Sequence, residues 1–183
     1  LLLHLLSLCC LRLLRLRFAP STLSAAASHV YKRQSLDVSD PQSREDLAAE
    51  IHDRTSGRPD ALVNHAGYGE VGSMETMEFE RARSMFEVNV FGLMGLTQLV
   101  LPAMRDRRRG RIVNVSSIAG RFATPGAGWY CASKHAVEAI RDAMRIELHQ
   151  FGLQVVLGGP GLIRAVFDQA SADSMYQGGQ DPF

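Results

Sequence analysis

Lysine is almost missing from this chain. Of its 20 basic residues only Lys32 and Lys134 are lysine; the rest are arginine. Cysteine is scarce as well: three in 183 residues, with Cys9 and Cys10 adjacent. That excludes a disulfide framework and points to a reducing, cytoplasmic setting. Charge of one sign is missing too. The 20 Lys+Arg against 19 Asp+Glu leave a net charge of +1, which argues against nucleic acid or an anionic membrane as a partner. The six histidines are scattered with no Cys/His metal spacing, so no metal is expected. No G-x-S-x-G elbow occurs, which argues against a serine hydrolase. What remains, 46% hydrophobic and 21% charged residues, is the composition of one ordinary globular domain.

The first 34 residues differ from the rest. Ten of the first 16 are Leu, and no charge other than Arg precedes Lys32. The apolar run from Leu1 to Leu11 is shorter than the ~20 residues of a spanning helix. Its arginines follow the apolar stretch, the reverse of a signal peptide. An Arg-rich, acid-free leader also fits an organelle transit peptide. Val30 to Gln34 back-translates to codons that resemble a transposase recognition end. Residues 1–34 are therefore expected to be a chimeric leader outside the domain, which occupies 35–183.

From residue 35 the pattern is regular. Leu36-Asp37-Val38 reads as a strand end. Asp40-Pro41 is an N-cap with proline at the first helical position, Leu47 and Ile51 give an apolar face over 41–56, and Gly57 stops the helix. Ala61-Leu62-Val63 is a short buried strand that exits through Asn64-His65-Ala66-Gly67. Thr76 is expected to cap a helix with Phe79, Ala82, Met85, Phe86 and Val90 inward, running to about Arg107. Arg111–Ser116 is a second strand. A helix over 129–151 has Ala132, Ala136, Ile140, Ala143 and Leu148 inward, and Gln154–Leu157 is a further strand. Short β-branched strands alternating with crossover helices predict an α/β, doubly wound parallel sheet. In such a sheet ligands sit at the carboxyl ends of the strands.

The residues with chemistry follow strands. Tyr130 and Lys134 are one helical turn apart on one face. A phenol of pKa ~10 is a poor acid or base at neutral pH. A neighbouring ammonium lowers it; bringing it to about 7 takes roughly 4 kcal/mol of preferential stabilisation of the phenolate. Ser117 lies 13 residues before Tyr130 at a strand tip, where its hydroxyl can bond a substrate oxygen. Asn89 sits in an apolar helix, where a buried amide must find partners, and can hold a water there. Trp129 borders the same region or simply packs.

Gly67–Gly72 spells G-x-G-x-x-G after a strand, but no helix is expected to begin at its third glycine and Glu70 would repel phosphates, so it reads as a strand exit. The Arg-rich stretch 105–111 reads as a solvated helix end.

These residues together resemble the short-chain dehydrogenase/reductase (SDR) family. The matching stretches are 36–38, Asn-His-Ala-Gly at 64–67, Asn-Val-Phe-Gly at 89–92, 112–120, Tyr-Cys-Ala-Ser-Lys at 130–134 and Pro-Gly-Leu-Ile at 160–163. The resemblance implies a Rossmann-like fold and a secondary alcohol–ketone oxidoreductase using NAD or NADP. It implies Tyr130 as acid/base and Lys134 as the group that lowers its pKa and bonds the nicotinamide ribose. Ser117 would orient the substrate oxygen, and Asn89 would support a water relay. Asp37 would accept from the adenine amino group. Asn64, Ala66 and Gly67 would line the adenosine side, and Pro160, Gly161 and Ile163 would face the nicotinamide. His65 and Ala165 depart from the family pattern. So does the absence from the sequence of the glycine-rich pyrophosphate turn, which implies that the first βαβ unit is missing. The expected partners are a small-molecule alcohol or ketone and, at full length, further copies of the chain. The alternative expectation is a truncated, catalytically inactive family member.

Overall fold

The computed structural model describes residues 36–159. The expectations that fall on residues 1–35, and those for Pro160, Gly161, Ile163 and Ala165, lie outside the described residues.

Helix α1 spans Pro41–Thr55. Its start follows from local chemistry: the Asp40 carboxylate accepts from the Gln42 and Ser43 amides at 3.1 and 3.2 Å, satisfying orphan donors of the first turn. It stops where Ser56 turns left-handed (φ 51°) and Gly57 follows at φ 71°, closing a bond from the Gly57 amide to the His52 carbonyl at 2.8 Å. Strand β1 is Ala61–Asn64. A long helical run follows: α2 at Phe79–Phe86, a π-helical turn at Glu87–Gly92, and α3 at Leu93–Asp106. Strand β2 is Arg111–Val115, a 3₁₀ turn covers Ile118–Gly120, α4 is Gly128–His149 and β3 is Gln154–Gly158.

The described strands form one parallel sheet in the order β1-β2-β3. Leu62, Ile112 and Val155 are in register, and all three are buried. Both crossovers step in the same direction, so their shared right-handedness puts both helices on one face. There α1 packs on α3, and α4 packs on α2 and the π turn. The core fills the gap with Ile51 from α1, Leu96, Val100 and Met104 from α3, and Met144 and Leu148 from α4. The run from Phe79 to Asp106 is long and apolar enough to cross a membrane, but this packing accounts for its apolar face. The arginines near the end of α3 clasp neighbouring elements: Arg107 pairs with Asp60 at 3.5 Å, and Arg111 bonds Gln154.

The α/β Rossmann-like architecture is as expected, with four local corrections. Leu36-Asp37-Val38 is not a strand; Leu36 and Val38 are buried beside a turn. Thr76 does not cap α2. It forms a turn with Ser73, and Glu78 stands at the N-cap without a side-chain bond. Phe79 is 67% exposed rather than inward. The inward face of α4 is rotated from the expected one: Cys131, Ser133, Lys134, Val137, Glu138, Met144 and Leu148 are buried, while Ala132 and Ala143 are exposed.

Candidate active site

The site is built at the carboxyl ends of β1 and β2. Ser117 follows β2 and N-caps the 3₁₀ turn, its Oγ accepting from the Ala119 amide at 3.2 Å. The same side chain hydrogen-bonds the Tyr130 phenol. Tyr130 lies in the first turn of α4, and one turn later Lys134 Nζ stands 5.8 Å from the centre of the Tyr130 ring. Lys134 is 6% exposed and donates to the Val115 carbonyl at 3.1 Å, so its stem is anchored to the end of β2.

Asn89 belongs to the π turn, the kind of helix defect that recurs at functional sites. It is 1% exposed. Its Oδ1 accepts from the Tyr68 amide at 3.0 Å, and its Nδ2 donates to the Tyr68 carbonyl at 2.8 Å and to Ser133 Oγ at 3.0 Å. Both amide hydrogens are therefore used on protein groups. The side chain acts as a clamp on the loop after β1. Gly67 lies against this clamp: a Cβ there would stand 2.9 Å from Asn89 Oδ1 and 3.4 Å from Lys134 Nζ. Close approach is what requires glycine at this position.

The electrostatics differ from the expectation. Burial pushes the Tyr130 phenol above its usual pKa, partly offset by the Ser117 hydrogen bond. Burial also brings Lys134 down to about 8. Burial dominates at both groups, and the ammonium, itself costly to charge in this surrounding, is turned to the Val115 carbonyl.

The structure thus brings Asn89, Ser117, Tyr130, Lys134 and Gly67 together. Asn64 and Ala66 line a small cavity of about 10 Å³ at the end of β1, with Val38, Val63 and Leu93. The Asn64 amide is spent inside the core, donating to Thr97 Oγ1 and Asn114 Oδ1 at 2.9 Å each; it ties β1 to β2 and α3. Asp37 is exposed, and its Oδ1 accepts from the Ser39 amide at 2.9 Å and hydroxyl at 2.5 Å, which hold its carboxyl below the usual range. Trp129 packs edge-on against Phe79 and Phe86, with ring centres 5.8 and 6.2 Å away. The decoy at 67–72 stays a loop, and Glu70 pairs with Arg81. Ser133 is not among the expected residues, although a serine on the buried stripe of α4 is a signal that its hydroxyl needs partners.

The family model for short chain dehydrogenases matches residues 12–175. This chain belongs to the short-chain dehydrogenase/reductase family. Among other members, it is 37% identical over 155 residues to a probable short-chain type dehydrogenase/reductase, VdlC, of Helicobacter pylori, covering 84% of this chain and 57% of that protein. It is 40% identical over 132 residues to the uncharacterized oxidoreductase YbbO of Escherichia coli, covering 72% and 49%. An SDR crystal structure from Streptomyces avermitilis superposes with a TM-score of 0.72 at 38% identity, covering 78% of this chain and 53% of that one. A gluconate 5-dehydrogenase from Burkholderia cenocepacia, solved with NADP and tartrate, gives 0.70 at 27% identity, covering 75% and 54%. The chain spans about half the length of the SDR relatives it matches.

Proposed function

We propose that this SDR chain carries the catalytic half of an NAD(P)-dependent oxidoreductase that interconverts a secondary alcohol and a ketone. The observation behind the reading is the Ser117–Tyr130 hydrogen bond with Lys134 one helical turn further on. The residues fit a dinucleotide. Gly67 leaves room beside a buried ammonium, and among the described residues that ammonium gives one of its three hydrogens to Val115, with two left for a sugar diol. NADP is bound in solved relatives. The cytoplasmic setting expected from the composition belongs to the same proposal.

A bound nicotinamide supplies the hydride acceptor or donor. The chain's own residues do the rest. Ser117 Oγ donates to the substrate oxygen and orients it. Tyr130 Oη takes the alcohol proton in oxidation and returns it in reduction, as a positioned general base and acid. Lys134 holds the ribose side and stabilises the phenolate when charged. Asn89 keeps the loop after β1 in place.

The test is binding followed by turnover. NADH and NADPH are titrated against the fluorescence of Trp129, and oxidation of the reduced cofactor is followed with cyclohexanone and acetophenone. Tyr130→Phe is expected to bind cofactor within about twofold of wild type and to lose roughly 10²- to 10⁴-fold in turnover. Equal turnover overturns the reading. Binding of neither cofactor favours a second reading, a non-catalytic partial SDR chain, which the half-length coverage of relatives supports.

A further inference from the structure

Four groups form one hydrogen-bonded line through the site. The backbone of Tyr68 bonds the Asn89 side chain in both directions, Asn89 Nδ2 donates to Ser133 Oγ at 3.0 Å, and Ser133 Oγ donates to the Tyr130 carbonyl at 2.7 Å. The polarity of the line is forced. The Tyr68 N–H can only donate, so it must face Asn89 Oδ1, which points Nδ2 toward Ser133. Nδ2 can only donate, so Ser133 must accept from it, and its single proton must go to the Tyr130 carbonyl. Ser133 is fully buried, so both of its bonds are shielded from solvent.

We infer that Ser133 is a positioning residue: its hydroxyl locks the first turn of α4, which carries Tyr130, to the Asn89 clamp on the loop after β1. This deepens, and rests on, the reading of Tyr130 as the proton-transferring group. Tyr130 is held from both sides, by Ser133 at its carbonyl and by Ser117 at its phenol. Releasing one side lets the ring swing and lets water reach the phenol.

Two variants separate hydrogen bonding from packing. Ser133→Ala removes the hydroxyl; Ser133→Cys nearly keeps the volume but is a weak donor and acceptor. Two readouts are taken on the full chain. One is the titration of Tyr130 by ultraviolet phenolate absorbance, as the difference between each protein and the same protein with Tyr130→Phe. The other is kcat and KM with whichever of cyclohexanone and acetophenone turns over. Both variants are expected to bring the phenol midpoint down toward ~10 and to lower kcat about tenfold, equivalent to about 1.4 kcal/mol of barrier, with KM within about twofold. If Ser133→Ala fails to fold, Ser133→Cys carries both readouts. A Ser133→Cys protein with wild-type titration and kcat shows a packing role only and overturns the inference. So does a rise in KM with kcat unchanged. If wild type turns over neither ketone, the proposed function fails, and the titration alone decides the role of Ser133.

Discussion

The side-chain amide of Asn89 and the peptide backbone of Tyr68 form a reciprocal pair: the Tyr68 amide donates to Oδ1 at 3.0 Å, and its carbonyl accepts from Nδ2 at 2.8 Å. A π turn carries one partner and an irregular loop carries the other. The loop has no strand or helix ladder of its own at this point, so the amide takes the place of a ladder.

Asn89→Ala removes both of these bonds and the one to Ser133 Oγ, and strands the Tyr68 amide and carbonyl. Each unsatisfied buried group costs about 1–3 kcal/mol. A destabilisation of about 2–4 kcal/mol is expected, and urea unfolding measures it. A loss below half a kcal/mol would show that water takes the place of the amide.

The Lys134 ammonium sets a pH dependence of the opposite sign to a salt-bridged lysine. Its folded pKa of about 8 lies below the unfolded 10.5. Between these values the unfolded chain binds more protons, so stability rises with pH. The cost of burying the charge is fully present below about pH 8 and is gone above about 10.5. Lys134→Met is therefore expected to be as stable as wild type or more so at neutral pH. That advantage should shrink as pH climbs from 8 toward 10.5. Urea unfolding of the two proteins across this range checks it; a gap that widens with pH would refute the assignment.

Gly67→Ala places a methyl group 2.9 Å from Asn89 Oδ1. The amide must shift and the Tyr68 bonds lengthen. An overpacking cost of about 1–3 kcal/mol is expected, read as a fall in Tm. The double variant Gly67→Ala/Asn89→Ala should cost less than the sum of the two single changes, because the clash disappears with the amide.

Gly92→Ala tests the other end of the π turn. Its Cβ would lie 2.5 Å from the Val38 carbonyl oxygen and 2.9 Å from that of Glu87. Both contacts are backbone and cannot rotate away, so this substitution should cost more than Gly67→Ala. A smaller Tm loss than at Gly67 would show that the 36–39 turn yields easily.

Much of this is legible in the sequence, for identifiable reasons. Asp40-Pro41 and Gly57 bracket α1 through local rules that need no tertiary context. The strands stand out because residues such as Leu62-Val63 and Ile112-Val113 make short, continuous apolar runs. Order along the chain then places Ser117, Tyr130 and Asn89 at strand ends or on the helices beside them. The rotation of α4 escapes the pattern because Ala132, Ala136 and Ala143 count as apolar although alanine is nearly indifferent to burial; Val137 and Met144, which bury more surface, decide the face. The π turn has no periodicity to betray it, since widening one turn by a residue leaves composition unchanged. The burial of Lys134 is hidden because a charged residue on a mixed helix face is ordinarily solvated. Its lowered pKa is a property of the packed site and not of the Tyr-x-x-x-Lys spacing.

The 3₁₀ turn at Ile118–Gly120 has one more effect. By lending its Ala119 amide to Ser117 Oγ, it fills one lone pair on that oxygen and leaves the lone hydroxyl proton for the Tyr130 phenol or for a reactant beside it. A free serine can rotate between giving and receiving a hydrogen bond. This one is biased toward giving before any reactant arrives, so the backbone settles which way the hydroxyl faces and little reorientation is left for the moment of reaction.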